Sequence, residues 1–324
     1  CQRLQDRNIL PLALVGIAGT TETGNVDPLE AMADFALELG CHFHVDAAWG
    51  GPTLFSDSYR FLLAGIERAD SVTIDAHKQL YVPMGAGMVV FKDPTALSAI
   101  EHHANYILRH GSKDLGSHTL EGSRPGMSML VHAGLSIIGR KGYELLIDMG
   151  IERAKTFANM IRQHPDFELT SEPELNILTY RYCPHAVQQA MEEATAPQLA
   201  DINALLDQVS QLLQKYQREA GKTFVSRTRL HMARYGEELT VLRVVLANPL
   251  TTDGILAAIL TEQCDIVQQP EIQALLQQIE ELCTGQGCGI EGAVRPPTWS
   301  GDGSDRDSYI RKEEAGEGKL KIVA

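Results

Sequence analysis

Lys78 stands in SVTIDAHKQLYVPMGAG, residues 71–87, a run that opens with Val72 and Ile74 between polar neighbours and closes on Pro83, Gly85 and Gly87. The opening fits a strand and the close fits a loop. Lysine ordinarily stays in water, so a lysine at the end of a core strand needs a reason. Asp46, in HVDAAWGG, ends a similar run 32 residues earlier. A desolvated lysine has a lowered pKa and forms a Schiff base with an aldehyde. A carboxylate beneath a pyridine-type nitrogen keeps that nitrogen protonated. The ring then accepts electrons from a bond broken at a substrate α-carbon. The plain alternative is a buried ion pair, which says little about function by itself.

The elements that must position these residues alternate. LPLALVGIAG predicts a strand buried on both faces. GTTETGNVDP is a turn, with Asp27 as N-cap and Pro28 at the first helical position. LEAMADFALELG is an amphipathic helix closed by Gly40, and CHFHVDAAW is a second strand. YRFLLAGIERAD reads as a helix, SVTIDA as a third strand and GAGMVVFKD as a fourth. Strand–helix alternation of this kind specifies an α/β domain with a mainly parallel sheet. Such sheets bind ligands at the carboxyl ends of their strands. Thr20 and Thr21, Asp46, and Asp75, His77 and Lys78 all fall at such ends.

Residues 98–125 are polar and irregular, and a long helical stretch follows, broken near Gly139 to Gly142. FELTSEPELNILTYRY predicts a hairpin, residues 198–220 a helix, ELTVLRVVLAN a strand, and residues 252–283 further helix. The expected domains are residues 1–135, an α/β unit, then a small α+β domain over residues 136–283. Residues 284–324, rich in Gly, Ser, Pro and charge, are expected to be disordered.

The totals exclude several classes. The chain has 324 residues, is 44% hydrophobic and carries a net charge of −14. That charge opposes nucleic acid and anionic lipid as partners. No apolar run approaches the roughly 20 residues that span a bilayer. Six cysteines without a dense framework read as reduced thiols of a cytoplasmic protein, and Cys283 with Cys288 lacks the second pair that a zinc site needs. No metal is expected. Residue 1 is Cys rather than Met, and Asn8 to Ala18 is already strand-like, so the sequence is expected to be the C-terminal part of a longer protein.

The cofactor whose chemistry uses both a Schiff-base lysine and a ring-nitrogen carboxylate is pyridoxal 5'-phosphate. Small Ala47 and Ala48 would let a flat ring lie close to the strand, and His77 could donate to the phosphate. HVDAAWGG followed by SVTIDAHKQLYVPMGAG resembles the core signature of the group II pyridoxal-phosphate-dependent decarboxylases, and the resemblance runs from about Leu12 to about Pro249. It implies the C-terminal half of a fold type I large domain, as in the PLP-dependent transferases, followed by a small α+β domain. It also implies α-decarboxylation of a small acidic amino acid, aspartate or glutamate, by a homodimer.

By the same resemblance, Lys78 is the Schiff-base lysine, Asp46 the pyridinium partner and Ala48 a packing surface for the ring. His77 and Asp75 lie near the phosphate, and Thr20 or Thr21 matches the family's GTT turn. TLEGSRPG, with Ser123, resembles a segment at the dimer interface near the partner's phosphate. Arg243, in LRVVLANP, matches an arginine that contacts the substrate carboxylate, a role suited to a bidentate guanidinium. The family's loop tyrosine, which protonates the α-carbon, has no counterpart in ILRHGSKDLGSH after Tyr106, which leaves His110 and His118 as candidates. The family's phosphate-cradling turn and ring-stacking histidine have no counterpart in the sequence. Alternatives on the same fold are an aminotransferase or a carbon–carbon lyase. A further alternative is an inactive fragment with half a cofactor site.

Overall fold

The computed structural model describes residues 11–102, 115–119 and 125–284. Ser123, Tyr106, His110, Cys288 and the tail expected to be disordered lie outside the described residues. Within them, the first sheet has the order β1 (Ala13–Ile17), β2 (His42–Asp46), β3 (Ser71–Asp75), β4 (Gly87–Phe91). The first three strands run parallel, and β4 is antiparallel to β3. The register sets Ile17 beside Asp46, Asp46 beside Thr73, and Asp75 beside Gly87. The carboxyl ends of the three parallel strands thus lie side by side, as the alternation predicted.

Helix α1 (Leu29–Leu39) connects β1 to β2 and buries Leu29, Ala33 and Ala36, a helical spacing that forms one apolar stripe. Gly40 ends it with φ 63°, its N–H reaching the carbonyls of Ala36 and Leu37. Gly16 sits under this helix, where a Cβ would come within 2.8 Å of the Leu29 side chain. The core of this layer joins Ala18, Leu29, Ala33, Phe43, Val45 and Leu63.

Three expectations are corrected. Strand β1 is not buried on both faces: Val15 is 51% exposed and Ile17 36%. It stands at the end of the strand order, where one neighbouring strand covers it rather than two. Asp27 does not cap α1, which has Pro28 at its N-cap and no side-chain cap. The Asp27 carboxylate instead accepts the N–H of Ile17 at 2.8 Å, tying the turn to β1. YRFLLAGIERAD is not one helix but two 3₁₀ turns, Arg60–Leu63 and Ile66–Arg68. Gly65 separates them at φ 97°, outside the right-handed helical region, and its Cα is so close to α1 that a Cβ would lie 2.5 Å from the nitrogen of Glu30. Residues 252–283 are helical as expected, in two helices, α5 (Asp253–Val267) and α6 (Pro270–Thr284), because Pro270 cannot continue the first.

The long helix α2 (Met127–Gln163) is interrupted as expected, at Gly139, whose φ of 67° and ψ of 172° are not helical. The second sheet has the order β5 (Phe167–Ser171), β6 (Ile177–Tyr182), β8 (Glu237–Val245), β7 (Ser226–Met232). Strand β6 is buried at every position, and β7 alternates between partly buried and exposed residues. Helix α3 (His185–Glu193) and strand β7 carried no predicted element. Helix α4 (Ala196–Ala220) opens on a capping box, in which the Thr195 N–H donates to Gln198 Oε1 at 3.1 Å.

The residues divide into two compact units. One is drawn from Cys1–Arg162, Leu169–Tyr180 and Arg243–Asp253, and the other from Gln163–Glu168, Arg181–Leu242 and Gly254–Ala324. No helix of the described residues is long and apolar enough to cross a membrane.

Candidate active site

Strand alternation sorts β2 into two faces. Phe43, Val45 and Ala47 are buried, whereas His44, Asp46 and Ala48 are partly exposed. Of the two alanines at this strand end, only Ala48 is therefore placed to meet a flat ring. The Asp46 carboxylate accepts the Ala48 N–H at 3.0 Å through Oδ1. This short Asx turn holds the carboxylate at the strand end and leaves its second oxygen available for a ligand.

Strand β3 ends on Asp75, and the chain turns immediately. The Lys78 N–H donates to the Asp75 carbonyl at 3.2 Å. This turn returns the Lys78 side chain onto the Asp75 carboxylate, with Nζ 2.9 Å from Oδ2. The Lys78 side chain is 34% exposed and ion-paired. His77 lies on the same carboxylate, with Nε2 3.8 Å from Oδ2. Its Nδ1 is 3.0 Å from the Ala86 carbonyl, which can only accept, so Nδ1 carries a proton. Nε2 is then the ring atom turned toward the Asp75 carboxylate.

Thr20 and Thr21 sit in the turn after β1. Thr20 Oγ1 lies 2.8 Å from Thr23 Oγ1 and accepts the Asn25 N–H at 3.1 Å, so it orders the turn. The Thr21 carbonyl accepts Nε of Arg243 at 2.7 Å. Strand β8 thereby brings Arg243 to the turn after β1, inside the same compact unit. Burial pushes the guanidinium below its ordinary pKa, and the Glu22 carboxylate opposes that shift. A partly buried guanidinium gains from an anionic partner.

Sequence reasoning missed a polar stripe behind the site. Ser71 Oγ lies 2.7 Å from His42 Nε2 and 2.8 Å from His44 Nδ1, and Thr73 Oγ1 lies 3.3 Å from His44 Nε2. The period-two spacing of His42, His44 and Asp46 was the available signal. It also missed a buried network. Gln79 donates to the Trp49 carbonyl at 2.9 Å, and Trp49 Nε1 donates to Asn176 Oδ1 at 2.8 Å. No local pattern ties residues this far apart in sequence. Of the two candidate histidines, His118 is described, and its Nδ1 lies 2.9 Å from Ser117 Oγ.

The strand ends of the first sheet carry an amine, two carboxylates and an imidazole, and the Arg243 guanidinium is bonded to the turn after β1. That donor set fits pyridoxal phosphate. The model of the pyridoxal-dependent decarboxylase conserved domain matches residues 2–183. Aspartate 1-decarboxylase of Aliivibrio fischeri is 60% identical over 275 residues, 84% of this chain and 50% of that protein. L-aspartate decarboxylase of Thermococcus kodakarensis is 36% identical over 188 residues, 55% of this chain and 47% of that protein. The crystal structure of mouse CSAD in apo form superposes with a TM-score of 0.72 at 26% identity, covering 82% of this chain and 54% of that one. The chain thus spans about half the length of the relatives it matches. By the match over residues 2–183 and these likenesses, the chain belongs to the pyridoxal-dependent decarboxylase family.

Proposed function

We propose that this chain is part of an enzyme that removes the α-carboxylate of a small acidic amino acid, aspartate to β-alanine or glutamate to 4-aminobutyrate. The observation that carries the proposal is Lys78 held 2.9 Å from Asp75 beside the Asp46 strand end. The high identity to a protein named aspartate 1-decarboxylase favours aspartate.

Bound pyridoxal phosphate supplies an aldehyde and a ring that accepts the electron pair of the broken α-carbon bond. Lys78 supplies the amine that anchors the aldehyde. Asp75 orients that amine and stands where it can accept the proton the ammonium sheds. Asp46 holds the proton on the ring nitrogen, and Ala48 leaves room for the ring against β2. His77 lies near the phosphate, with Thr20 or Thr21 beside it. Arg243 pairs with a substrate carboxylate in bidentate geometry. Ser123, from the neighbouring subunit of a homodimer, completes the phosphate site. The proposed location is the cytoplasm, and the proposed large-domain portion ends near residue 135.

The test is an absorbance spectrum of the chain with added pyridoxal phosphate, beside Lys78→Ala. A visible band near ~420 nm in the first and none in the second is the expected result. A Lys78-independent spectrum would remove the lysine from its role. Carbon dioxide release from aspartate and from glutamate then decides the substrate. A keto acid product with the carboxylate retained would favour an aminotransferase instead.

A further inference from the structure

The loop that carries Lys78 is held at more points than anchoring one amine requires. Tyr81, three residues on, has φ 56°. It is the only non-glycine residue with a positive φ among the described residues. A bulky side chain in that region is strained by about 1–3 kcal/mol and persists only where the surroundings over-determine it. The Tyr81 hydroxyl supplies one such constraint, donating to the Ala247 carbonyl at 2.7 Å. Ala247 lies four residues after Arg243, just past the end of β8. The preceding loop residues are also tied. Gln79 Oε1 accepts from Asn176 Nδ2 at 3.4 Å, and the same amide reaches the Leu246 carbonyl at 3.3 Å. The Leu80 carbonyl accepts the Tyr143 hydroxyl at 3.0 Å. All of these residues belong to one compact unit.

We infer that Tyr81 is a positioning residue that staples the Lys78 loop to the end of the strand carrying Arg243, and so sets which length of acidic amino acid the site accepts. The inference rests on the roles proposed above for Lys78 and Arg243. Lys78 positions the cofactor that takes the substrate's amino end, and Arg243 pairs with a substrate carboxylate. A bond between their two supporting segments therefore fixes the span between them. Loosening that bond relaxes discrimination between a four-carbon and a five-carbon diacid. Stability alone would not change that ratio.

The experiment uses the full chain with pyridoxal phosphate, as wild type, Tyr81→Phe and Tyr81→Gly. Tyr81→Phe keeps the ring and the strained backbone but loses the hydroxyl. Tyr81→Gly relieves the strain and also loses the staple. The Lys78-dependent visible band is titrated with succinate and with glutarate, unreactive dicarboxylates of the two lengths. The expected result is a band in all three proteins and a ratio of the two affinities that moves about fivefold toward unity in both variants, the effect of one hydrogen bond. An unchanged ratio in Tyr81→Phe, with the wild-type band present, overturns the inference. A wild type without the band means that this chain does not hold the cofactor as proposed, and hydrogen exchange of the cofactor-free chain then decides the staple separately. Tyr81→Phe should raise exchange about fivefold at the amides of Val82 and Leu246. No rise at either amide overturns it on that arm.

Discussion

Asp46 illustrates how far one side chain can be separated from its surroundings. Its Oδ1 accepts the Ala48 N–H, a bond that an asparagine can also accept. Asp46→Asn should therefore keep the turn and the melting temperature while removing the charge proposed to hold the ring nitrogen's proton. We expect carbon dioxide release from the cofactor-loaded whole enzyme to fall by roughly 100-fold or more, with the melt unmoved. A variant within a few-fold of wild type would show that Asp46 serves only the turn. Cys183 lies at the other extreme. Burial pushes its thiol up to about 12, so it is protonated and inert in the folded chain.

Single contacts between elements set the predictions at the next scale. Gly65 lets the connection after the first 3₁₀ turn pass under α1. Gly65→Ala combines a left-handed φ with a backbone clash against Glu30. A loss of about 2–4 kcal/mol is expected by denaturant titration, from those two named causes. A cost below 0.5 kcal/mol would mean that α1 moves freely away. In the other unit, Asp207 on α4 accepts the Thr240 N–H of β8 at 2.7 Å. Burial raises its carboxyl pKa, and the Thr240 bonds oppose the shift. The folded state therefore binds this proton more tightly than the unfolded chain does. Its contribution is fully present below the unfolded value of about 4 and is lost as pH rises through the folded one. Asp207→Asn keeps an acceptor for Thr240 and removes the buried charge. It should match wild type near pH 3 and be the more stable protein at pH 7. Equal stability at pH 7 would show that the carboxylate carries no burial penalty.

At the scale of the whole molecule, each unit has its own organising core. In the second unit that core contains a fully buried Arg181, whose Nε donates to Glu168 Oε2 at 2.6 Å and whose Nη1 donates to Asn203 Oδ1 at 2.8 Å. The Tyr235 hydroxyl donates to the other oxygen of Glu168 at 2.8 Å. Arg181→Ala leaves Glu168 buried without its main partner and should cost about 3–5 kcal/mol. Arg181→Met with Glu168→Gln should cost much less, because no charge is stranded. Calorimetry of both variants tests this, and equal losses would argue against a penalty from an unpaired charge. The first unit has a different character. Val15, Val89 and Val90 are exposed on the two strands at the ends of the first sheet, apolar surface that ordinarily asks for cover.

Local chemistry alone determined much of this protein. Period-two alternation, Gly40 and the strand–helix order specified the parallel sheet, and with it the placing of Thr20, Asp46 and Lys78 at one set of strand ends. The spacing of HVDAA and DAHK carried the resemblance to the family. These signals are legible because each arises within a dozen or so neighbouring residues. Only the tertiary structure decided that Lys78 is ion-paired to Asp75, and that Ala47 is buried while Ala48 is partly exposed. It alone showed that Gly65 breaks an apparently helical run against α1, and that Tyr81 bonds a carbonyl 166 residues away. Burial and long-range hydrogen bonding depend on which elements come to lie against one another, and no local pattern of residue types encodes that.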